Sequence, residues 1–162
     1  MDTLDRISQT LNGIMKHATA FLLAAMTILV FLQVVFRYLL ALPLAWSEET
    51  ASFSFVWMSL LGASVALRHG DHPSLDVLFR FFPAPVKKWV QVLIYCTILF
   101  VLTVLLIYGF RLAVMMKGQV TAALQYSVAY IYAVLPLSAL VMLVHTVALT
   151  VKTVLRGVEE KG

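Results

Sequence analysis

The chain has 162 residues, of which 62% are hydrophobic and only 12% charged, with a mean hydropathy of +0.94. A soluble domain carries about twice that charged fraction, so a water-soluble fold that hides all this apolar surface is excluded and lipid must cover part of it. The formal net charge of +4 does not mark a nucleic-acid binder, because the basic residues fall in short segments between apolar runs, where they orient a membrane protein.

At the N-terminus, Leu4, Ile7, Leu11 and Ile14 share one helical face, which predicts a short amphipathic helix on the membrane surface. Lys16 and His17 then precede an apolar run that continues to about Leu40 without a small-x-small cleavage site, so it reads as an uncleaved first span and not a signal peptide. Four spans are expected, over residues 18–39, 46–67, 88–110 and 128–151, in a single membrane domain covering 1–162. Gln33 and Arg37 are the strongly polar residues of the first. Pro136 falls inside the fourth, where it removes a backbone donor and should bend the helix. Between the second and third spans, Pro73 suits a first helical position and Leu75, Leu78, Phe79 and Phe82 make an apolar face. That segment, 73–82, is too short to span and reads as an in-plane interfacial helix with His72 at its start and an Asp76–Arg80 pair on another face. The fold class is thus an all-α integral membrane protein with four transmembrane helices.

Lysine and arginine placement orients it. The N-terminus, central loop and C-terminus hold Arg6, Lys16, Arg68, Arg80, Lys87, Lys88, Lys152, Arg156 and Lys161, against Arg37, Arg111 and Lys117 on the other side. Both termini are therefore expected in the cytoplasm.

The chemistry concentrates where the first two spans meet. Arg37 closes the first, and Trp46, Glu48 and Glu49 open the second. Charges at a membrane boundary must hydrate, snorkel or pair, and a helix N-terminus favours anions, with Ser47 as a cap. The reading is a clasp between Arg37 and one of the two glutamates, with a face left for a partner. No nucleophile, metal set or cofactor loop accompanies the carboxylates in the sequence, so no catalytic residue, metal or cofactor is assigned. Along the second span, Ser59, Gly62, Ala63 and Ala66 form small-xxx-small pairs that allow close helix approach, while Phe53, Phe55 and Trp57 suit lipid or a larger partner. Cys96 lies alone in mid-run and reads as a small apolar filler. The rival reading is a haem-binding, cytochrome b-type electron-transfer subunit with His17 and His145 as axial ligands. Against any self-sufficient transporter, the spans carry few polar groups near their midpoints. The chain reads as a helper.

These motifs, taken in order, carry a family resemblance. They are Phe36-Arg37-Tyr38, Leu44-Ala45-Trp46-Ser47-Glu48-Glu49, Trp57, Leu61-Gly62-Ala63 with Ala66 and Arg68, then Gly70, His72, Leu75-Asp76-Val77 and Phe82-Pro83, and finally Thr121, Leu124, Tyr130 and Leu135-Pro136. The chain resembles the small membrane subunit (the Q, or DctQ-like, subunit) of tripartite ATP-independent periplasmic (TRAP) transporters. The resemblance implies a three-part importer in the bacterial inner membrane. A periplasmic substrate-binding protein captures an organic acid such as a dicarboxylate or sialic acid. A large membrane (M) subunit carries the path and couples it to sodium. The small subunit would scaffold the large one and help dock the binding protein.

Overall fold

The structure, a computed structural model, describes residues 2–42, 44–69 and 84–159. The helices are α1 (Asp2–Leu39), α2 (Ala45–His69), α3 (Ala84–Met115), α4 (Ala129–Tyr132) and α5 (Val134–Glu159), with a 3-10 turn at Met116–Gly118. Among the described residues, four segments are long and apolar enough to cross a membrane: Asp5–Leu39, Ala45–Arg68, Val92–Gly118 and Ala129–Val151. The expected four-span, all-helical architecture is present. The interfacial segment 73–82, with His72, Asp76 and Arg80, lies outside the described residues.

The bundle is two hairpins side by side. α1 packs along α2, and α3 packs along α4 and α5. α5 joins them, because it also contacts α2 and α1. Its burial reflects this central place: Val134, Ser138, Ala139, Val141, Met142, His145, Thr146 and Ala148 are all buried. The apolar centre is Met15 of α1, Leu61 of α2, and Val134 and Val141 of α5, with Leu11, Leu22 and Trp57 packed against it. Of the bulky residues expected to meet lipid or a larger partner, Phe55 is exposed, whereas Trp57 is half-buried and packs against this centre.

The N-terminal amphipathic helix is not a separate element. α1 runs unbroken for 38 residues, about 57 Å at about 1.5 Å per residue. No proline interrupts residues 2–39, so nothing forces a turn where the surface helix was expected to end. Its buried side also differs from the apolar stripe in the sequence: Ile7 and Ile14 are exposed while Ser8 and Met15 are buried.

Each hairpin is closed by local backbone chemistry. At the end of α1, Ala41 adopts a left-handed backbone with φ 53°, and the Leu42 amide donates to the Phe36 carbonyl at 3.1 Å. Glycine usually takes this post at a helix end. Ser47 does not cap α2 by accepting an amide; its buried hydroxyl donates to the Leu44 carbonyl at 2.7 Å. In the last span the helix is interrupted at Ala133, between α4 and α5. Pro136 explains the place: it has no N–H to give the carbonyl four residues back, that of Tyr132.

Two glycines set helix approach. A Cβ on Gly109 would meet Leu135 Cβ at 3.0 Å and both Pro136 Cδ and its backbone nitrogen at 3.3 Å. On Gly62 the nearest atom would be Thr19 Cγ2 at 3.6 Å, an ordinary contact. Gly109→Ala should therefore destabilise the bundle by about 1–3 kcal/mol through overpacking. Gly62→Ala should be neutral or gain up to about 1 kcal/mol from helix propensity. Thermal unfolding in detergent micelles checks the pair, and equal losses at both glycines would contradict the packing described.

Candidate functional site: a polar clamp at each end of the bundle

At the hairpin end, opposite the termini, α3 leads through the 3-10 turn into a tight reversal. Val120 and Ser127 form an antiparallel bridge, and the Val128 amide donates to the Gln119 carbonyl at 2.9 Å. The Thr121 amide donates to the Tyr126 carbonyl at 2.8 Å, and Thr121 Oγ1 accepts from the Tyr126 amide at 3.2 Å. Gln125 takes φ 56° to make the turn. This geometry aims three successive amides in one direction, a nest for an anion.

Glu49 fills the nest. Its Oε1 accepts from Ala122 N at 3.1 Å, and its Oε2 from Ala123 N at 3.2 Å and Leu124 N at 2.7 Å. Charge-assisted bonds of this kind are roughly twice as strong as neutral ones. They tie the start of α2 to the reversal between α3 and α4, so one carboxylate joins the two hairpins at this end.

The expected clasp is therefore corrected in its second partner. Arg37 is exposed and forms no ion pair with Glu48 or Glu49; among the described residues the ion pair present is Arg68–Asp5. The physical reason is preorganisation. The backbone amides are already fixed by the turn, whereas an exposed guanidinium must lose side-chain freedom for a surface pair worth about 0–1 kcal/mol. Glu48 is exposed, as are Trp46 and Arg37. Glu48 and Glu49 line an open groove of about 380 Å³ with Ala45, Ser52, Phe53, Ala122 and Ala123. On α3 the Arg111 guanidinium lies over the Tyr108 ring, 5.8 Å from its centroid.

A second clamp occupies the termini end. Arg68, from the last turn of α2, donates to Ser8 Oγ of α1. Ser8 Oγ is also 2.8 Å from His145 Nδ1 of α5. Asp5 flanks the guanidinium at 3.9 Å. Ser8 and His145 are fully buried. Three helices thus converge on one hydroxyl. The sequence reading used Arg68 as one of the orienting cations and in the family motif, and left Ser8 unassigned. The available signal was polar spacing: Ser8 sits on the same stripe as Leu11 and Met15, and an isolated histidine in an apolar run needs a partner.

The haem reading is not supported. His17 is exposed and its Nδ1 bonds the Gly13 carbonyl of its own helix at 2.8 Å. It lies nine residues beyond Ser8, the partner of His145, about 13 Å further along the α1 axis. Two axial ligands must face each other across one iron.

The small residues of α2 share one side of the helix but differ in exposure. Gly62 approaches Thr19 of α1, whereas Ser59, Ala63 and Ala66 are exposed. Cys96 is exposed on α3.

Four spanning helices tied by these clamps define a multi-pass membrane protein. Residues 26–156 match the family described as Tripartite ATP-independent periplasmic transporters, DctQ component. The chain belongs to that family and is a transporter subunit, the small permease. It is 35% identical over 105 residues to the C4-dicarboxylate TRAP transporter small permease protein DctQ of Vibrio cholerae serotype O1, covering 64% of this chain and 44% of the relative. It is 24% identical over 108 residues to the sialic acid TRAP transporter small permease protein SiaQ of the same organism, covering 67% and 62%. It is 27% identical over 143 residues to the sialic acid TRAP transporter permease protein SiaT of Haemophilus influenzae, covering 88% of this chain and 22% of that protein. The chain therefore spans less than two thirds of the length of each of these relatives.

Glu49→Gln keeps the side-chain volume but turns an amide donor toward amide donors. It should cost about 1–3 kcal/mol, while Glu48→Gln should stay within about 0.5 kcal/mol. Thermal midpoints and amide hydrogen exchange at Ala122 to Leu124 read this out; faster exchange is expected in the Glu49 variant alone. At the other end, Ser8→Ala strips Arg68 and His145 of their shared partner and should also cost about 1–3 kcal/mol. A wild-type midpoint for that variant would contradict the three-helix junction.

Proposed function

We propose that this chain is the non-catalytic small membrane subunit of a sodium-coupled, binding-protein-dependent importer of an organic carboxylate in the bacterial inner membrane. In this reading it scaffolds a large permease subunit that carries the substrate path. Both termini lie in the cytoplasm, following the excess of lysine and arginine on that side. The hairpin end, with exposed Arg37, Trp46 and Glu48, then meets the periplasm, where a substrate-binding protein would dock.

The observation that carries this reading is how the polar side chains of the bundle are used. Glu49, Arg68, Ser8 and His145 are each engaged in bonds that join helices to one another. Chemistry spent on holding shape is what a scaffold requires. The carboxylate class is supported by relatives named for C4-dicarboxylates and for sialic acid. The exposed flank of α2, with Ser59, Ala63 and Ala66, offers little side-chain bulk to a neighbouring helix and supports contact with the large subunit there.

Deleting this subunit should abolish uptake of radiolabelled carboxylate by cells that still make the large subunit and the binding protein. Full uptake without it would sink the reading. Within the complex, Ala63→Trp and the charge reversal Arg37→Glu should each weaken copurification with the large subunit. Recovery of wild-type amounts with wild-type transport would remove these residues from the interface.

A further inference from the structure

A groove of about 300 Å³ lies between α3 and the interrupted last span, and none of its lining residues takes part in either clamp. Ala113 of α3, Ala129 of α4 and Ala133 at the interruption line it. All three are half-buried, and their single methyl groups leave space that larger side chains would fill. Phe110 and Pro136 continue the apolar lining. Phe110 and Tyr130, 63% and 71% exposed, flank the slot.

One charged side chain belongs to this lining, Lys117. It follows Ala113 by one helical turn and Phe110 by two, so the three share one side of the chain. Lys117 sits in the 3-10 turn, at the very end of the spanning segment Val92–Gly118. The cation thus stands at the membrane boundary, and the apolar slot runs inward from it. Its ammonium has no hydrogen-bond or ion-pair partner among the described residues. Arg111, the other cation of this segment, lies over the Tyr108 ring and is not part of the lining.

A charge at a bilayer edge takes water or an anion as its company. The ligand that fits is anionic at the surface and apolar from there inward. Phosphate and acyl chain stand in that order in a phospholipid, and basic sites between spanning helices recognise lipid head groups. Free phosphate would meet Lys117 but leave the alanine-lined slot unused. A partner helix is about 10 Å across and advances about 5.4 Å per turn, so even one turn is larger than the slot.

We propose that this slot holds one acyl chain of an anionic phospholipid, with the lipid phosphate on the Lys117 ammonium. The bound chain then covers the interruption at Ala133, beside Pro136, where the last span lacks a regular helical surface.

The test presents the full chain in detergent with equimolar phosphatidylglycerol and phosphatidylcholine of identical acyl chains, and counts retained lipid by native mass spectrometry. The wild type should retain phosphatidylglycerol at least several-fold over phosphatidylcholine. Lys117→Gln should bring the two to parity, whereas Arg111→Gln should leave the preference intact. Ala113→Phe fills the slot and should lower retention of both lipids. A measurement independent of that variant's folding uses nanodiscs containing phosphatidylglycerol with a diazirine in its acyl chain, which should label the wild type within residues 110–117 and 129–136. No preference in the wild type, a preference that survives Lys117→Gln or is lost equally in Arg111→Gln, undiminished retention in Ala113→Phe, or labelling confined to other segments would overturn the proposal. Loss of the bound phosphatidylglycerol on copurification with the large permease subunit would assign the slot to that partner and overturn it too.

Discussion

Three backbone amides on one carboxylate are the constraint on which this bundle depends at its hairpin end. Inside or at the edge of a bilayer, a charge and a set of unpaired N–H groups are each costly, and each is the other's remedy. Glu49 and the turn at 122–124 solve both problems with one contact. Because the donors belong to the backbone, the contact fixes the shape of the reversal as well as its position. Ser8 performs the matching service at the far end, where a hydroxyl between Arg68 and His145 joins three helices.

The two clamps act on the same helix. Glu49 and Arg68 stand at opposite ends of α2, nineteen residues apart, or about 28 Å along the axis. That is close to the roughly 30 Å of a bilayer's hydrocarbon layer. Between them the contacts of α2 are apolar or merely close, as at Leu61 and at Gly62 against Thr19. Apolar packing alone specifies register weakly in lipid, since a hydrocarbon tail is as good a neighbour as a leucine. Polar contacts at both ends supply the missing specificity, and α5 carries it across to the second hairpin.

Much of this was legible in the sequence. Span number and approximate limits follow from apolar runs near twenty residues, a requirement set by bilayer thickness. The need of the Glu48–Glu49 segment for a partner was legible as well. The partner was not, because Glu49's donors lie 73 to 75 residues away and every residue type but proline offers the same amide. Only the folded turn decides which amides are left unpaired. Arg37 misled for the opposite reason: opposite charge and short separation in sequence are visible, while the entropy of fixing an exposed side chain is not. On α1, the more apolar stripe through Ile7 and Ile14 outweighed the stripe through Ser8 and Met15 that is buried. Hydrophobicity loses its power to choose a face when lipid is one of the solvents. Pro136 signalled a disturbance correctly, but the interruption falls at Ala133, on the side of the carbonyl the proline leaves unbonded.

The way the clamps are shared between hairpins also bears on how the chain is made. α1 and α2 are neighbours in sequence and can pair as soon as both have entered the membrane. At that stage Arg68 already has Ser8 and Asp5 beside it, but Glu49 lacks its three donors and Ser8 lacks His145, since the 122–124 amides and His145 belong to segments not yet synthesised. A half-built chain thus carries a carboxylate without its amide donors at one bilayer surface and an incomplete hydroxyl junction at the other. Completion of the last span erases both marks together, which gives membrane quality control a chemical difference between a truncated product and a finished one.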